Sequence, residues 1–80
     1  MKEMQIRLRS FQDVQELVNL ASSFDFPVMI TDGNRNVNAK SIMCMFSMNL
    51  RRPVVLLLDC GDEDFEIFRI MAGRFEVSPN

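Results

Sequence analysis

The sequence predicts an α+β fold in which one four-stranded antiparallel sheet is covered on a single face by three helices. Three observations predict it: four short runs with strand-like patterning, three segments with apolar residues at helical spacing, and an Asp-Gly turn joining two of the strands. The elements follow in the order βαββαβα, so the expected architecture is an open-faced sandwich. Because 80 residues barely close one core, we expect a single domain over residues 1–80.

The composition is that of a globular protein, with 48% hydrophobic and 25% charged residues and a net charge of −2. It lacks the basic stripe that nucleic-acid binding requires. The longest apolar run, residues 53–58, is too short to span a bilayer, and residues 1–10 do not resemble a signal peptide. We therefore expect a cytoplasmic protein that binds neither nucleic acid nor a membrane.

The first strand is predicted over residues 4–8, where apolar and polar side chains alternate. The first helix is predicted from Phe11 to Ser22 or Ser23, because Ser10 can cap it by accepting from the Asp13 amide. Its apolar stripe is Phe11, Val14, Leu17, Val18 and Ala21.

The second and third strands are predicted on either side of Asp32, Gly33 and Asn34, a strong hairpin turn signal. They cover residues 26–31 and 36–39. Residues 54–58 are aliphatic and partly β-branched, which is typical of a central strand.

The second helix is predicted within an unusually apolar segment, and six apolar residues in seven positions exceed one buried stripe. Part of it should therefore face something other than the core. These residues are Ile42, Met43, Cys44, Met45, Phe46 and Met48.

The last helix is predicted to begin with an acidic first turn at residues 62–64 and to end near Gly73 or Phe75. Residues 78–80 are expected to fray. We interpret the acidic turn as stabilising the helix dipole rather than as a metal site.

Cys44 and Cys60 are the two cysteines, and their apolar surroundings favour free, buried thiols over a disulfide. Two thiols without a histidine do not complete a tetrahedral metal set, so we expect neither a metal nor a cofactor.

One segment carries a family signature: a basic residue, a serine, two apolar residues, one free position, an aliphatic residue, two free positions and another aliphatic. Lys40, Ser41, Ile42, Met43, Met45 and Met48 match it in order. The chain here resembles the HPr family, the histidine-containing phosphocarriers of the bacterial sugar phosphotransferase system. The resemblance extends to the first helix, the Asp-Gly hairpin and the strand at residues 54–58, and it implies the HPr fold. Asn49 departs from the glycine or acidic residue usual after the segment.

The family's other signature is absent, because the chain contains no histidine. The resemblance places Ser10 where the phosphate-accepting histidine would cap the first helix, and the arginine and proline that follow are replaced. A serine phosphate ester has a much lower transfer potential than a phosphoramidate, and Asp13 would repel phosphate. An ordinary helix cap is the favoured interpretation of Ser10.

Ser41 corresponds to the serine that a regulatory kinase phosphorylates in many members, and the resemblance extends that role to it. Phosphate at a helix N-terminus is tolerated, although a simple cap remains the favoured alternative. The resemblance also implies docking through the second helix, at Ile42, Met43 and Phe46. Arg51 and Arg52 could pair with an acidic partner, or form a solvated turn.

These observations predict a divergent HPr-like protein that is not an enzyme and regulates or occupies partners of the phosphotransferase or carbon-regulation type. A serine kinase acting at Ser41 is the second kind of partner expected. Two alternatives stay open: an atypical phosphocarrier using Ser10, and a homodimer closing over the second helix.

Overall fold

The computed structural model of the protein describes residues 1–77. It contains four strands and three helices in the predicted order βαββαβα, followed by a short 3₁₀ turn, and so confirms the predicted fold class. The strands are β1 (Lys2–Ile6), β2 (Val28–Thr31), β3 (Asn36–Asn38) and β4 (Val54–Leu58). The helices are α1 (Phe11–Ser22), α2 (Ile42–Met45) and α3 (Asp62–Met71), and the 3₁₀ turn is Gly73–Phe75. The fraying predicted for residues 78–80 lies outside the described residues.

The sheet has the strand order β1-β4-β2-β3, and all three strand pairs are antiparallel. The predicted central strand, β4, lies between β1 and β2. Ile6 pairs with Val54 and Lys2 with Leu58, so the C-terminal end of β1 lies beside the start of β4. This register brings the residues after β1 close to those before β4.

The core lies between the helices and one face of the sheet. Alternate residues of β1, β2 and β4 are buried, while their neighbours, such as Val55 and Leu57 of β4, are half-buried on the uncovered face. The predicted stripe of α1 is buried except for Phe11, which is exposed. Phe68 anchors α3 by packing at ring-centroid distances of 5.3 Å from Phe24 and 6.5 Å from Phe26.

Five elements differ from their predicted bounds. β2 begins two residues later than predicted, at Val28, and β3 ends one residue earlier, at Asn38, because only these residues pair with the neighbouring strands. β1 begins and ends two residues earlier than residues 4–8, since its pairing with β4, rather than its own alternation, sets its limits. α2 is only four residues long. It ends at Met45 because the amides of Ser47 and Met48 bond to carbonyls three residues earlier and turn the chain. α3 ends at Met71, and the 3₁₀ turn buries Phe75.

The outer edge of β1 is covered by the chain that follows the 3₁₀ turn. Arg7 N donates to Phe75 O at 2.9 Å, and Val77 N donates to Gln5 O at 3.0 Å. An isolated antiparallel bridge joins Ile6 to Glu76. Because these contacts satisfy backbone groups along the strand, they protect an edge that would otherwise be open to pairing.

The hairpin between β2 and β3 turns at Gly33, whose φ of 97° is the positive value that favours glycine. Asp32 braces the turn: its Oδ1 accepts from the amides of Asn34 and Arg35, both at 2.9 Å. Its Oδ2 accepts from Asn49 N at 3.1 Å, which ties the hairpin to the segment after α2. These three backbone amides lower the pKa of Asp32.

Candidate functional site

Ser10 caps α1 in extended conformation, and its Oγ accepts from Asp13 N at 3.1 Å, as the sequence predicts. The side chain therefore satisfies one of the helix's free amides. Ser10 is exposed, and no histidine stands near it because the chain has none.

Asp13 brings its own negative charge to the start of α1. Its Oδ2 accepts from Arg9 N at 3.0 Å, and its Oδ1 pairs with Arg74 Nη2 at 3.2 Å. The Arg9 amide and then the Arg74 guanidinium lower the pKa of Asp13. Arg74 also pairs with Glu16 at 3.0 Å. A carboxylate thus occupies the position where the dipole of α1 would otherwise favour an incoming anion.

The predicted docking residues of α2 divide into two groups. Met43 and Phe46 are 77% and 52% exposed, whereas Ile42 is half-buried against the core. Met45 and Met48 are buried, so part of this short helix faces the core and part faces outward. The prediction that the segment exceeds what the core can cover is therefore confirmed.

Phe11, the first residue of α1, extends this exposed apolar surface. Its ring stacks on that of Phe46 at a centroid distance of 5.5 Å and an interplanar angle of 5°. Such aromatic pairs contribute stabilisation beyond the area that they bury, so each ring helps to hold the other in place. We name the exposed side chains Phe11, Met43 and Phe46 the aromatic patch.

Ser41 caps α2, and its Oγ accepts from Cys44 N at 3.3 Å. Lys40 precedes it, but Lys40 Nζ donates to Phe24 O at 2.7 Å on another part of the surface. Any negative charge added to Ser41 would therefore rely on the amides at the start of α2 rather than on the neighbouring lysine.

A groove of about 410 Å³ lies between the start of α1, the end of β1 and the segment before β4. Sequence reasoning missed the groove, because Arg7 reads as the polar side of a strand and Arg51, beside Arg52, reads only as a solvated turn or as a pair for an acidic partner. The register of β1 with β4 brings the two together, and no local pattern shows that. The groove is lined by Arg7, Leu8, Arg9, Ser10, Phe11, Val14, Phe46, Leu50 and Arg51.

Charge is unevenly divided between the two ends of the sheet. The groove end carries Arg7, Arg9 and Arg51, and Arg52 follows them in sequence. At the other end, β4 is followed in sequence by Asp59 and the acidic first turn of α3. Lys2 pairs with Asp62 there, which lowers the pKa of that carboxyl. The five residues of β4 separate the ends by about 17 Å.

Cys44 and Cys60 are free, as predicted, but half-buried rather than buried. Burial raises the pKa of the Cys60 thiol, which disfavours the thiolate. Within residues 1–77 no group of three metal-ligating side chains comes together. In the same range no helix is both long enough and apolar enough to cross a membrane.

Comparison with known proteins agrees with this geometry. Residues 12–67 match the PTS-HPr family, described as the PTS HPr component phosphorylation site. The crystal structure of HPr-C-His from Thermoanaerobacter tengcongensis superposes with a TM-score of 0.71 at 28% identity, over 89% of this chain and 88% of that one. No curated protein sequence matches the chain.

The histidine-containing phosphocarrier protein of Mycoplasma superposes with a TM-score of 0.66 over 92% of this chain and 98% of that one. At 16% identity this likeness supports the fold alone. The family match covers more than half of the sequence and agrees with the strand order and with the match to HPr-C-His. The chain belongs to the HPr family.

Proposed function

We propose that this protein is a non-enzymatic binding module that docks on partners of the histidine-containing phosphocarriers and does not relay phosphate through histidine. The loss of the relay follows from the sequence, which contains no histidine. No other side chain at the start of α1 supplies a nitrogen that is nucleophilic near neutral pH. Binding rather than transfer is therefore the activity that this end of the fold can support.

The aromatic patch is the observation that carries the proposal. Monomeric proteins rarely leave several large apolar side chains side by side in water unless something binds there. Phe11 begins α1 and Phe46 caps α2, and their rings are held in parallel, so the patch is preformed. Met43, which is 77% exposed, adds an adaptable side chain of the type found at surfaces that accept varied partners.

A competition assay tests docking. Excess protein should slow phosphoenolpyruvate-dependent phosphorylation of an authentic histidine-containing HPr, because both would occupy the same partner. The double variant Met43→Ser/Phe46→Ser should lose at least about tenfold in inhibitory potency, since buried aromatic and methionine anchors dominate such interfaces. Ile67→Ser/Ile70→Ser is the matched control, because it removes two exposed apolar side chains from α3. Equal loss in both variants, or no inhibition by the wild type, contradicts the proposal.

The absence of phosphoryl relay has a direct test. Incubation with a complete phosphoenolpyruvate-dependent phosphotransfer mixture should leave the intact mass unchanged. Ser10 is the acceptor that an atypical carrier would use, but its Oγ caps α1 and the Asp13 carboxylate lies beside it. An added phosphate that Ser10→Ala abolishes would establish that alternative instead.

Phosphorylation of Ser41 is proposed as the regulation of this docking surface. Its support is placement: Ser41 caps α2 and directly precedes Ile42 and Met43, so a phosphate there would put negative charge beside the aromatic patch. A serine kinase acting on HPr proteins, supplied with ATP, should add one phosphate to the wild type and none to Ser41→Ala. No uptake by the wild type rejects the regulation and leaves docking untouched.

Self-association through the same patch is the remaining alternative. Sedimentation of the wild type beside Phe46→Asp distinguishes it from docking on another protein. We expect both to sediment as monomers, and a dimer lost in the variant would assign the patch to a homodimer.

A further inference from the structure

The groove beside the aromatic patch contains positive charge that residues 1–77 do not neutralise. Arg7, Arg9 and Arg51 line it. The ion pairs found among residues 1–77 use Lys2, Arg69 and Arg74, and none of the groove arginines forms one. In a protein with more acidic than basic residues, three unpaired arginines meeting in one groove mark a place for an anion.

Arg7 shows the lack of a partner most clearly. Its Nε is buried, yet it has no hydrogen-bond partner among the described residues. Buried polar groups in folded proteins are nearly always satisfied, and an exception calls for an explanation. Arg7 follows β1 directly, and its own amide is held by Phe75 O, so its backbone is fixed at the groove. A negatively charged ligand in the groove would offset its charge.

The walls of the groove are apolar. Leu8, Val14 and Leu50 line it together with the stacked rings of Phe11 and Phe46. An inorganic anion would meet the arginines but leave these walls in water. The ligand that fits therefore carries negative charge and an apolar side chain close together.

We propose that the groove binds an acidic segment of a partner protein, with an apolar side chain against Phe11 and Phe46 and carboxylates on Arg7, Arg9 and Arg51. Met43, three residues before Phe46, adds a further exposed apolar side chain outside the groove, and a ligand that covers both the groove and Met43 is more extended than a small molecule, which favours a protein ligand. This inference rests on the proposed docking function and specifies the partner's chemistry. Arginine suits the role because its planar fork holds carboxylates in a fixed geometry.

The acidic end of the sheet cannot fill the groove of its own molecule, because β4 separates the two ends. A second copy could present its residues 59–64 to the groove, and the experiment must therefore distinguish this occupant from another protein.

The probe is the peptide acetyl-Glu-Asp-Leu-Glu-Phe-Glu-amide, titrated into the ¹⁵N-labelled full chain while backbone amide shifts are recorded. Shifts should concentrate at residues 7–11 and 50–51. A peptide with glutamine or asparagine in place of the acids, and a second with serine in place of leucine and phenylalanine, should each bind about tenfold more weakly. If inorganic phosphate produces the same shifts and the serine peptide binds as well as the parent, the groove is a small-anion site and the proposal is wrong.

Arg9→Gln/Arg51→Gln is the test variant, because both side chains are exposed and their loss should leave the fold intact. It should bind the parent peptide about tenfold more weakly than the wild type, since hydrogen bonds between charged groups are stronger than neutral ones. Arg35→Gln/Arg69→Gln removes equal charge away from the groove and should bind as the wild type does. Equal weakening in the two variants overturns the proposal.

Sedimentation of the chain alone completes the test. We expect the wild type to sediment as a monomer. If it self-associates and Arg9→Gln/Arg51→Gln abolishes the association, the occupant of the groove is a second copy, and the assignment to another protein is wrong. The docking proposal has a separate test, because Met43 does not line the groove. If Met43→Ser inhibits as strongly as the wild type in the competition assay, the docking proposal fails. Peptide binding without competition rejects the docking function, and competition without peptide binding rejects the groove assignment.

Discussion

Asp13 distinguishes the start of α1 from a helix N-terminus that binds phosphate. In place of an anion from outside, the protein supplies a carboxylate that accepts the Arg9 amide and pairs with Arg74. The positive end of the α1 dipole is therefore already matched by a carboxylate of the chain itself. A single carboxylate, three residues into a helix, changes what the helix end can bind.

The acid stability of the protein should depend on Asp13. Since its pKa is lowered on folding from the ordinary 3.8, the stability it contributes is present above that value and is lost as the pH falls through the lower, folded pKa. Asp13→Asn should cost about 1 kcal/mol of unfolding free energy at pH 7, with the deficit shrinking in acid. Urea denaturation at a series of pH values measures both effects.

The matched control is Glu16→Gln, because Glu16 also pairs with Arg74 but accepts no backbone amide in the structure. Its effect should be smaller and within about 0.5 kcal/mol. A deficit in Asp13→Asn that stays constant from pH 7 to acid would contradict the assigned role.

Two glycines give a paired test of backbone conformation. Gly33 has a φ of 97°, whereas Gly73 does not have a positive φ, and a Cβ at either position would meet open space. Gly33→Ala should destabilise by about 1 kcal/mol through strain alone. Gly73→Ala should be neutral or slightly stabilising, because it restricts only the unfolded chain. Thermal denaturation compares them, and equal shifts would mean that the turn does not require the positive φ.

At the level of elements, the parts predicted well from the sequence are those fixed by short-range chemistry. The Ser10 cap, the limits of α1 and the Asp-Gly hairpin follow from residues that are neighbours in sequence. The limits of β1 do not, since alternation marks a strand but not the partner that sets its ends. α2 is shorter than its apolar run suggests because burial of Met45 and Met48 needs only a single helical turn.

The candidate site could likewise be predicted only in part. Met43 and Phe46 could be found because the segment holds more apolar residues than one core face can cover. The groove arginines could not, because Arg7 and Arg9 meet Arg51 only through the pairing of β1 with β4. The stack of Phe11 on Phe46 likewise joins two helices that are distant in sequence.

The covered edge of β1 gives a prediction for the element that closes it. Val77→Pro removes the amide that donates to Gln5 O and should lower the unfolding free energy by about 1 kcal/mol. Hydrogen exchange at Arg7, whose amide donates to Phe75 O in the same segment, should accelerate. Val77→Ala keeps the amide and is the control, and equal exchange rates in the two variants would show that the bridge does not protect the strand.

For the molecule as a whole, the uneven placement of charge has a consequence for any charged surface that it meets. A net charge of −2 predicts that the protein does not bind to a cation-exchange resin at pH 7. With Arg7, Arg9 and Arg51 gathered around the groove, however, the molecule can turn that surface towards the resin and be retained against its net charge. Arg9→Gln/Arg51→Gln should elute at lower salt than Arg35→Gln/Arg69→Gln, although the two variants have the same net charge. Elution order would then report where charge lies rather than how much there is.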